Sequence, residues 1–207
     1  GVGAGFPYCS QDACECLFHA AGHIDPYVDD TAAGYTFTLI RELFWYRGDG
    51  KFFDMSASRG PGIAARHSSR GIAIGDLDND GEMEIVVVNL FEPPSLLKNF
   101  GEKGNSLLIR ALTASGCDAI GARVTVTTGG HQQIDEVRSG GYHISQGDFR
   151  VHFGLGKETK ADVAIGWVGG RTDTFPAVAA NQCLVIRQGK GIVESHKFVR
   201  RASADRS

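Results

Sequence analysis

The stretch Gly71-Ile72-Ala73-Ile74-Gly75-Asp76-Leu77-Asp78-Asn79-Asp80-Gly81-Glu82-Met83-Glu84-Ile85-Val86-Val87-Val88 decides how the chain is read. Two short apolar runs, Gly71–Gly75 and Ile85–Val88, flank a dense acidic segment. Runs of that length and β-branched content read as strands, so the acidic segment is the loop joining them. Asp76, Asp78 and Asp80 stand at alternate positions. Their short carboxylates converge on one point only if the backbone curls tightly, and Gly81 permits that bend. The Glu82 carbonyl then supplies a further oxygen, and the Glu84 carboxylate closes the site. Such an all-oxygen set suits calcium, which takes six to eight oxygen ligands; magnesium fits less well because it keeps several waters. Without a cation the aspartates would repel one another.

The loop begins like an EF-hand, with glycine at the sixth position. The twelfth position is Val87, where an EF-hand needs a bidentate glutamate. The flanks are also strand-like, so the expected site is a nine-residue loop, Asp76–Glu84, between two strands.

The rest of the chain supports a mainly β reading. Its 28 glycines in 207 residues exceed the usual share of about 7% and fit many tight turns. Upstream, Leu43-Phe44-Trp45-Tyr46 is strand-like, Gly48-Asp49-Gly50 is a turn signal, and Phe52-Phe53 follows. Leu43–Phe52 is echoed by Leu96–Asn105, an offset of about fifty residues that suits one propeller blade. Downstream, Val124 and Val126, Phe149, Val151 and Phe153, and Val163, Ile165 and Trp167 each alternate with smaller or polar neighbours. Period two marks half-buried strands, and strands this short and even suggest a sandwich or partly open barrel. The expected divisions are a Cys-containing N-terminal segment (1–40), a calcium-binding repeat (41–104), a β module (105–190) and a basic, solvated tail (191–207). Gln11–Ala21 reads as one short helix with Ser10 as N-cap.

Formal net charge is −3, so no basic field points to nucleic acid. No apolar run is long enough to span a bilayer. The chain starts at Gly1 without a visible signal peptide, so either one was removed or the chain is a processed piece. Cys9, Cys14 and Cys16 cluster without zinc-like or haem-like spacing. A disulfide-stapled segment from an oxidising compartment is the preferred reading, with free thiols as the alternative. Asp25, Asp29 and Asp30 form a second acidic cluster and a candidate second ion site. His131, His143 and His152 lie in the β module, but no nucleophile elbow or zinc-protease motif accompanies them. His152 shares the outward phase of Arg150, which suggests a surface or loop-packing role. Asp148 and Arg150 are spaced for a local ion pair.

Several ordered motifs carry a family resemblance. Gly71–Asn89 resembles an FG-GAP or VCBS-type repeat of calcium-binding β-propellers. Asp118-Ala-Ile-Gly-Ala-Arg-Val124, Ser139-Gly-Gly-Tyr-His-Ile-Ser-Gln146, His152-Phe-Gly-Leu-Gly156, Trp167 and Ala180-Asn181-Gln182 resemble the ASPIC/UnbV domain, named partly for the cartilage acidic proteins. Gly22-His23-Ile24 and Leu43–Phe53 also resemble the end of such a family's propeller. The resemblance implies a secreted or cell-surface protein used for binding or adhesion, with calcium-bearing repeats and no known catalytic activity. Val168 departs from it, standing where the family tends to have proline, and Cys117 stands where arginine is common. Cys117 and Cys183 are then a candidate disulfide of this chain alone.

The expectation is an all-β protein: one β-propeller-like repeat, then a sandwich or partly open barrel. It is expected to be extracellular and non-enzymatic, with structural calcium and a protein or glycan surface as partner. One blade cannot close a propeller, so its open edges need covering, by residues 1–40 or by other copies of the chain. The alternative is an extracellular carbohydrate-active enzyme with a calcium-stabilised fold, which would need two opposed carboxylates in a pocket.

Overall fold

The computed structural model describes residues 3–6, 16–31, 34–46, 49–58, 60–101 and 104–199. Among the described residues strands dominate, and no sheet closes into a barrel. The first half holds two principal sheets. One orders Gly3–Gly5, Cys16–Ala20, Glu42–Tyr46 and Phe52–Asp54 side by side, all antiparallel. The other is a three-stranded antiparallel sheet of Ser69–Gly75, Glu84–Asn89 and Ser95–Leu97. Ile72, Ile74, Ile85 and Val87 from the second sheet pack with Phe18, Ala20 and Leu43 from the first. A buried arginine ties this half together. Arg41 is 1% exposed and donates to the Gly62 carbonyl, Asn89 and Ser95.

Cys16–Ala20 is a strand, which corrects the helix expected over 11–21. Cys16, Phe18 and Ala20 are buried while Leu17 and His19 are half-exposed, a period of two that a helix cannot produce. Residues 11–15 lie outside the described residues. The N-terminal segment thus joins the repeat's own sheet and covers one side of Glu42–Tyr46.

The second half is a two-sheet module. Val151–Gly156, Asn105–Leu112, Gln182–Arg187 and Gly191–Lys197 form one sheet; His131–Glu136, Arg123–Thr128, Lys160–Gly166 and Thr172–Ala179 form the other. Leu107, Ile109, Phe153, Leu184 and Ile186 from the first meet Val124, Val126, Val163 and Ile165 from the second in a single core. Trp167 closes that core and donates its indole N–H to Asp173. Asn105–Leu112 runs parallel to Gln182–Arg187, whereas all other neighbours in these two sheets are antiparallel. Gly191–Lys197, expected to be part of an unpatterned solvated tail, is exposed as expected but forms a full edge strand. Its residues are mostly exposed, so apolar alternation could not announce it.

Cys117 and Cys183 are free thiols, so the disulfide suggested between them does not form. Cys117 is exposed, whereas burial pushes the Cys183 thiol pKa upward. Cys16 is buried and disulfide-bonded; Cys9 and Cys14 lie outside the described residues.

Candidate metal centre

The acidic loop joins Ser69–Gly75 to Glu84–Asn89, the two strands expected on either side of it. Register Gly75↔Glu84 brings the loop's two ends together, so Asp76 and Glu84 begin as neighbours. The loop then curls through Asn79 and Gly81, both at positive φ (59° and 85°). The curl is stitched by carboxylates accepting backbone N–H groups. Asp76 accepts from Asp80 at 3.1 Å and from Gly81 at 3.0 Å. Asp80 accepts from Glu82, and Glu84 from Leu77, each at 2.9 Å. Single oxygens of Asp76, Asp78 and Glu84 come within 4.8 Å of one another, a group that can hold a metal ion.

Asp76, Asp80, Glu82 and Glu84 are all buried, and only Asp78 faces solvent. Burying ionised carboxylates is costly unless positive charge answers them. Burial pushes the pKa of both Asp76 and Glu84 upward, although N–H donors and neighbouring cations pull the other way. The positive charge on the loop's inner side is Lys98. Its ammonium lies 2.5 Å from Asp78 Oδ2, 3.0 Å from Asp80 Oδ2 and 3.2 Å from Glu84 Oε1. Burial works against that ammonium, but the three carboxylates more than offset it and raise the lysine pKa.

Of the residues proposed from sequence, Asp76, Asp78 and Glu84 converge directly, and Asp80 joins them through Lys98. Glu82 is buried in the same loop but is not in the converging group. The donor set is hard, oxygen-only and rich in carboxylates, which fits calcium. Lys98 marks a point inside the loop where a cation is accommodated. Asp25, Asp29 and Asp30 do not form a second such group. Asp25 accepts the Tyr27 N–H and Asp29 the Phe37 N–H, so these two acids shape their own loop.

The loop's outer side is held by the two-sheet module. Arg150 donates to the Asp76 carbonyl at 2.5 Å and to Asn79 Oδ1 at 2.7 Å, while pairing with Asp148 at 2.6 Å. The Gly81 carbonyl accepts from Ser106 Oγ and from His152 Nε2, both at 3.1 Å. The Val199 N–H reaches the Asn79 carbonyl at 2.9 Å. A Cβ on Gly81 would lie 2.3 Å from the Phe198 ring, so the glycine is required by contact as well as by φ. The segment around residue 145 docks beside it, with Ser145 Oγ on the Ile72 carbonyl and the Asp148 N–H on the Ile74 carbonyl.

Of the two roles its phase suggested, surface or loop-packing, His152 takes the loop-packing one. It is 5% exposed, and burial depresses its pKa to about 4. The phase was read correctly, but the strand is buried on both faces because the repeat covers its outer one. The Asp148–Arg150 pair likewise serves the contact between the two halves.

A cavity of about 420 Å³ lies beside this contact, lined by Phe6, Asp135, Arg138, Tyr142, Asp148 and Arg150 among others. Two of its acids are already engaged. Asp148 is held by Arg150, while Asp135 pairs with Arg138 at 2.8 Å.

Residues 41–87 match the family model of the FG-GAP-like repeat, and residues 112–193 match that of ASPIC and UnbV. The chain pairs an FG-GAP-like repeat with an ASPIC/UnbV domain. Arg150, His152 and Asn181 fall within the ASPIC/UnbV match, so that domain contributes much of the grip on the acidic loop. Asn181 acts at one remove: its side-chain amide donates to Asn105 Oδ1, it exchanges hydrogen bonds with Ser106, and its carbonyl accepts the Phe198 N–H. Cartilage acidic protein 1 of Xenopus tropicalis is 31% identical over 123 residues, 55% of this chain and 19% of that protein. The Homo sapiens protein of the same name is 30% identical over 120 residues, 54% of this chain and 18% of that protein. The matched stretch is thus about a fifth of the length of these relatives.

Among the described residues no helix is long and apolar enough to cross a membrane.

Proposed function

We propose that this chain is a calcium-stabilised, extracellular interaction module without catalytic activity. The FG-GAP-like repeat supplies the ion site, through Asp76, Asp78, Asp80 and Glu84, with the Glu82 carbonyl as a further ligand. The ASPIC/UnbV domain holds the loop from behind. One observation carries the reading: carboxylates of one tight loop, most of them buried, converge on a point where a cation already sits. Calcium is structural in this reading. It neutralises the loop, and the loop in turn offers its carbonyls to the second domain.

A ligand bound only by the folded state stabilises it by RT ln(1 + [L]/Kd), about 2.7 kcal/mol at a hundred times Kd. Excess chelator should therefore lower the melting temperature, and Asp78→Ala should remove that response. Melting that is identical with calcium and with chelator defeats the calcium reading.

The partner is a protein or glycan surface, another copy of this chain included. The motivation is Phe52–Asp54, which ends its sheet with Phe52 and Phe53 exposed. Exposed rings on the last described strand of a sheet offer an apolar contact surface. Light scattering that returns only monomer, at high concentration and with calcium present, counts against self-association.

A further inference from the structure

Lys98 is twenty residues from Asp78 in sequence and belongs to no motif of the acidic loop. Its position follows from the sheet. Ser95–Leu97 pairs with Glu84–Asn89 in the register Ile85↔Leu97, so the next residue on, Lys98, emerges opposite Glu84. From there its stem reaches over the loop and sets the ammonium against three carboxylates contributed by Asp78, Asp80 and Glu84. Its side chain is 26% exposed, so it borders solvent and has room to withdraw.

A calcium ion held by those oxygens at about 2.3–2.6 Å would overlap the place the ammonium occupies. Like charges repel steeply at that separation, so the two cations compete for these oxygens. The lysine is the partner that can leave: it hangs on a flexible four-carbon stem and is strongly hydrated when released. Because it is covalently attached, it competes at a high effective concentration set by its short tether.

We propose that Lys98 is a tethered competitor for the cation site, and that calcium binds by displacing its ammonium into solvent. This rests on the calcium reading above and adds a consequence that reading does not contain. The loop keeps a counter-charge when calcium is scarce, and its affinity for calcium is set below what the carboxylates alone would give. Lys98 is an affinity-setting residue and not a ligand.

The test uses the full chain, stripped by chelator and titrated with calcium chloride by calorimetry. Lys98→Gln removes the charge and keeps the length; Lys98→Arg keeps the charge. Lys98→Gln is expected to bind calcium at least ten-fold more tightly than the parent chain, with Lys98→Arg much closer to the parent. Equal or weaker binding by Lys98→Gln overturns the proposal and leaves the calcium reading intact. Binding by Lys98→Gln alone supports the proposal and refutes the calcium reading for the native chain. No binding by any of them refutes both.

If Lys98→Gln does not fold without calcium, the parent chain still decides. Acylation of Lys98 by an amine-reactive ester, followed by mass spectrometry, should rise severalfold on adding calcium. Labelling that falls or does not change overturns the proposal.

Discussion

The two halves of this chain solve the same problem with different materials. In the two-sheet module eighteen buried apolar residues, among those described, form one cluster shared by both sheets. In the first half the corresponding cluster, among the described residues, has nine, and the burial is completed by polar groups: Arg41, Asp76, Asp80, Glu82 and Glu84 are all nearly inaccessible. Apolar burial stabilises at roughly 25 cal/mol per Å² whatever ions are present. Buried carboxylates stabilise only if their counter-charges are in place. One half thus rests on apolar contact, and the other also on charges that must be matched.

The sharpest way to break that contrast is to damage the unconditional half. Phe153 is completely buried in the shared core. Phe153→Ala should cost about 3–5 kcal/mol, by the same amount with calcium as with chelator in denaturant unfolding. A loss that calcium rescues would mean that the two halves do not divide the work in this way.

The contact between the halves predicts a pH effect. Burial holds His152 neutral with a pKa of about 4, below the usual value of about 6.5 for an exposed histidine. The unfolded chain therefore takes up the proton first. The associated stability is fully present above about pH 6.5 and is lost as pH falls from there through about 4. The difference corresponds to roughly 3 kcal/mol. His152→Gln keeps an N–H for the Gly81 carbonyl but does not titrate. Its stability should fall less steeply than the parent's between pH 7 and 4. Parallel curves would show that the histidine is not held neutral by the fold.

The smallest effect belongs to an ion pair outside both conditions. Arg110 and Asp118 meet at 2.8 Å on the surface of the domain. Exposed pairs contribute about 0–1 kcal/mol, so Arg110→Ala should move the unfolding midpoint only slightly and independently of calcium. A shift as large as that of Phe153→Ala would remove the distinction between buried and surface charge on which the comparison stands.

How much of this was legible in sequence followed the range of the interaction. Asp76, Asp78, Asp80, Gly81 and Glu84 lie within nine residues, and their geometry is local, so spacing alone announced the loop. Val124, Val126, Val163 and Ile165 alternate cleanly because each strand has one dry face and one wetter face. Lys98 could not be seen, because nothing near it in the chain links it to the aspartates; only the register of two strands does. The burial of His152 could not be read for a related reason. Alternation separates two faces of a strand but does not say that a second sheet's loop will cover the outer one. Cys16–Ala20 offered too few positions to distinguish a period of two from a helical turn, and the strand Gly191–Lys197 has an exposed pattern with no apolar face to read.

The parallel pairing of Asn105–Leu112 with Gln182–Arg187 has a consequence in time. Ser106 and Asn181, bonded to each other beside that pairing, are 75 residues apart. Such contacts form late, because a long stretch of chain must be ordered before they repay the loss of its freedom. During synthesis the apolar strand Asn105–Leu112 is made early and must wait for residues 182–187 before its second neighbour exists. Until then its open edge is a target for the wrong partner.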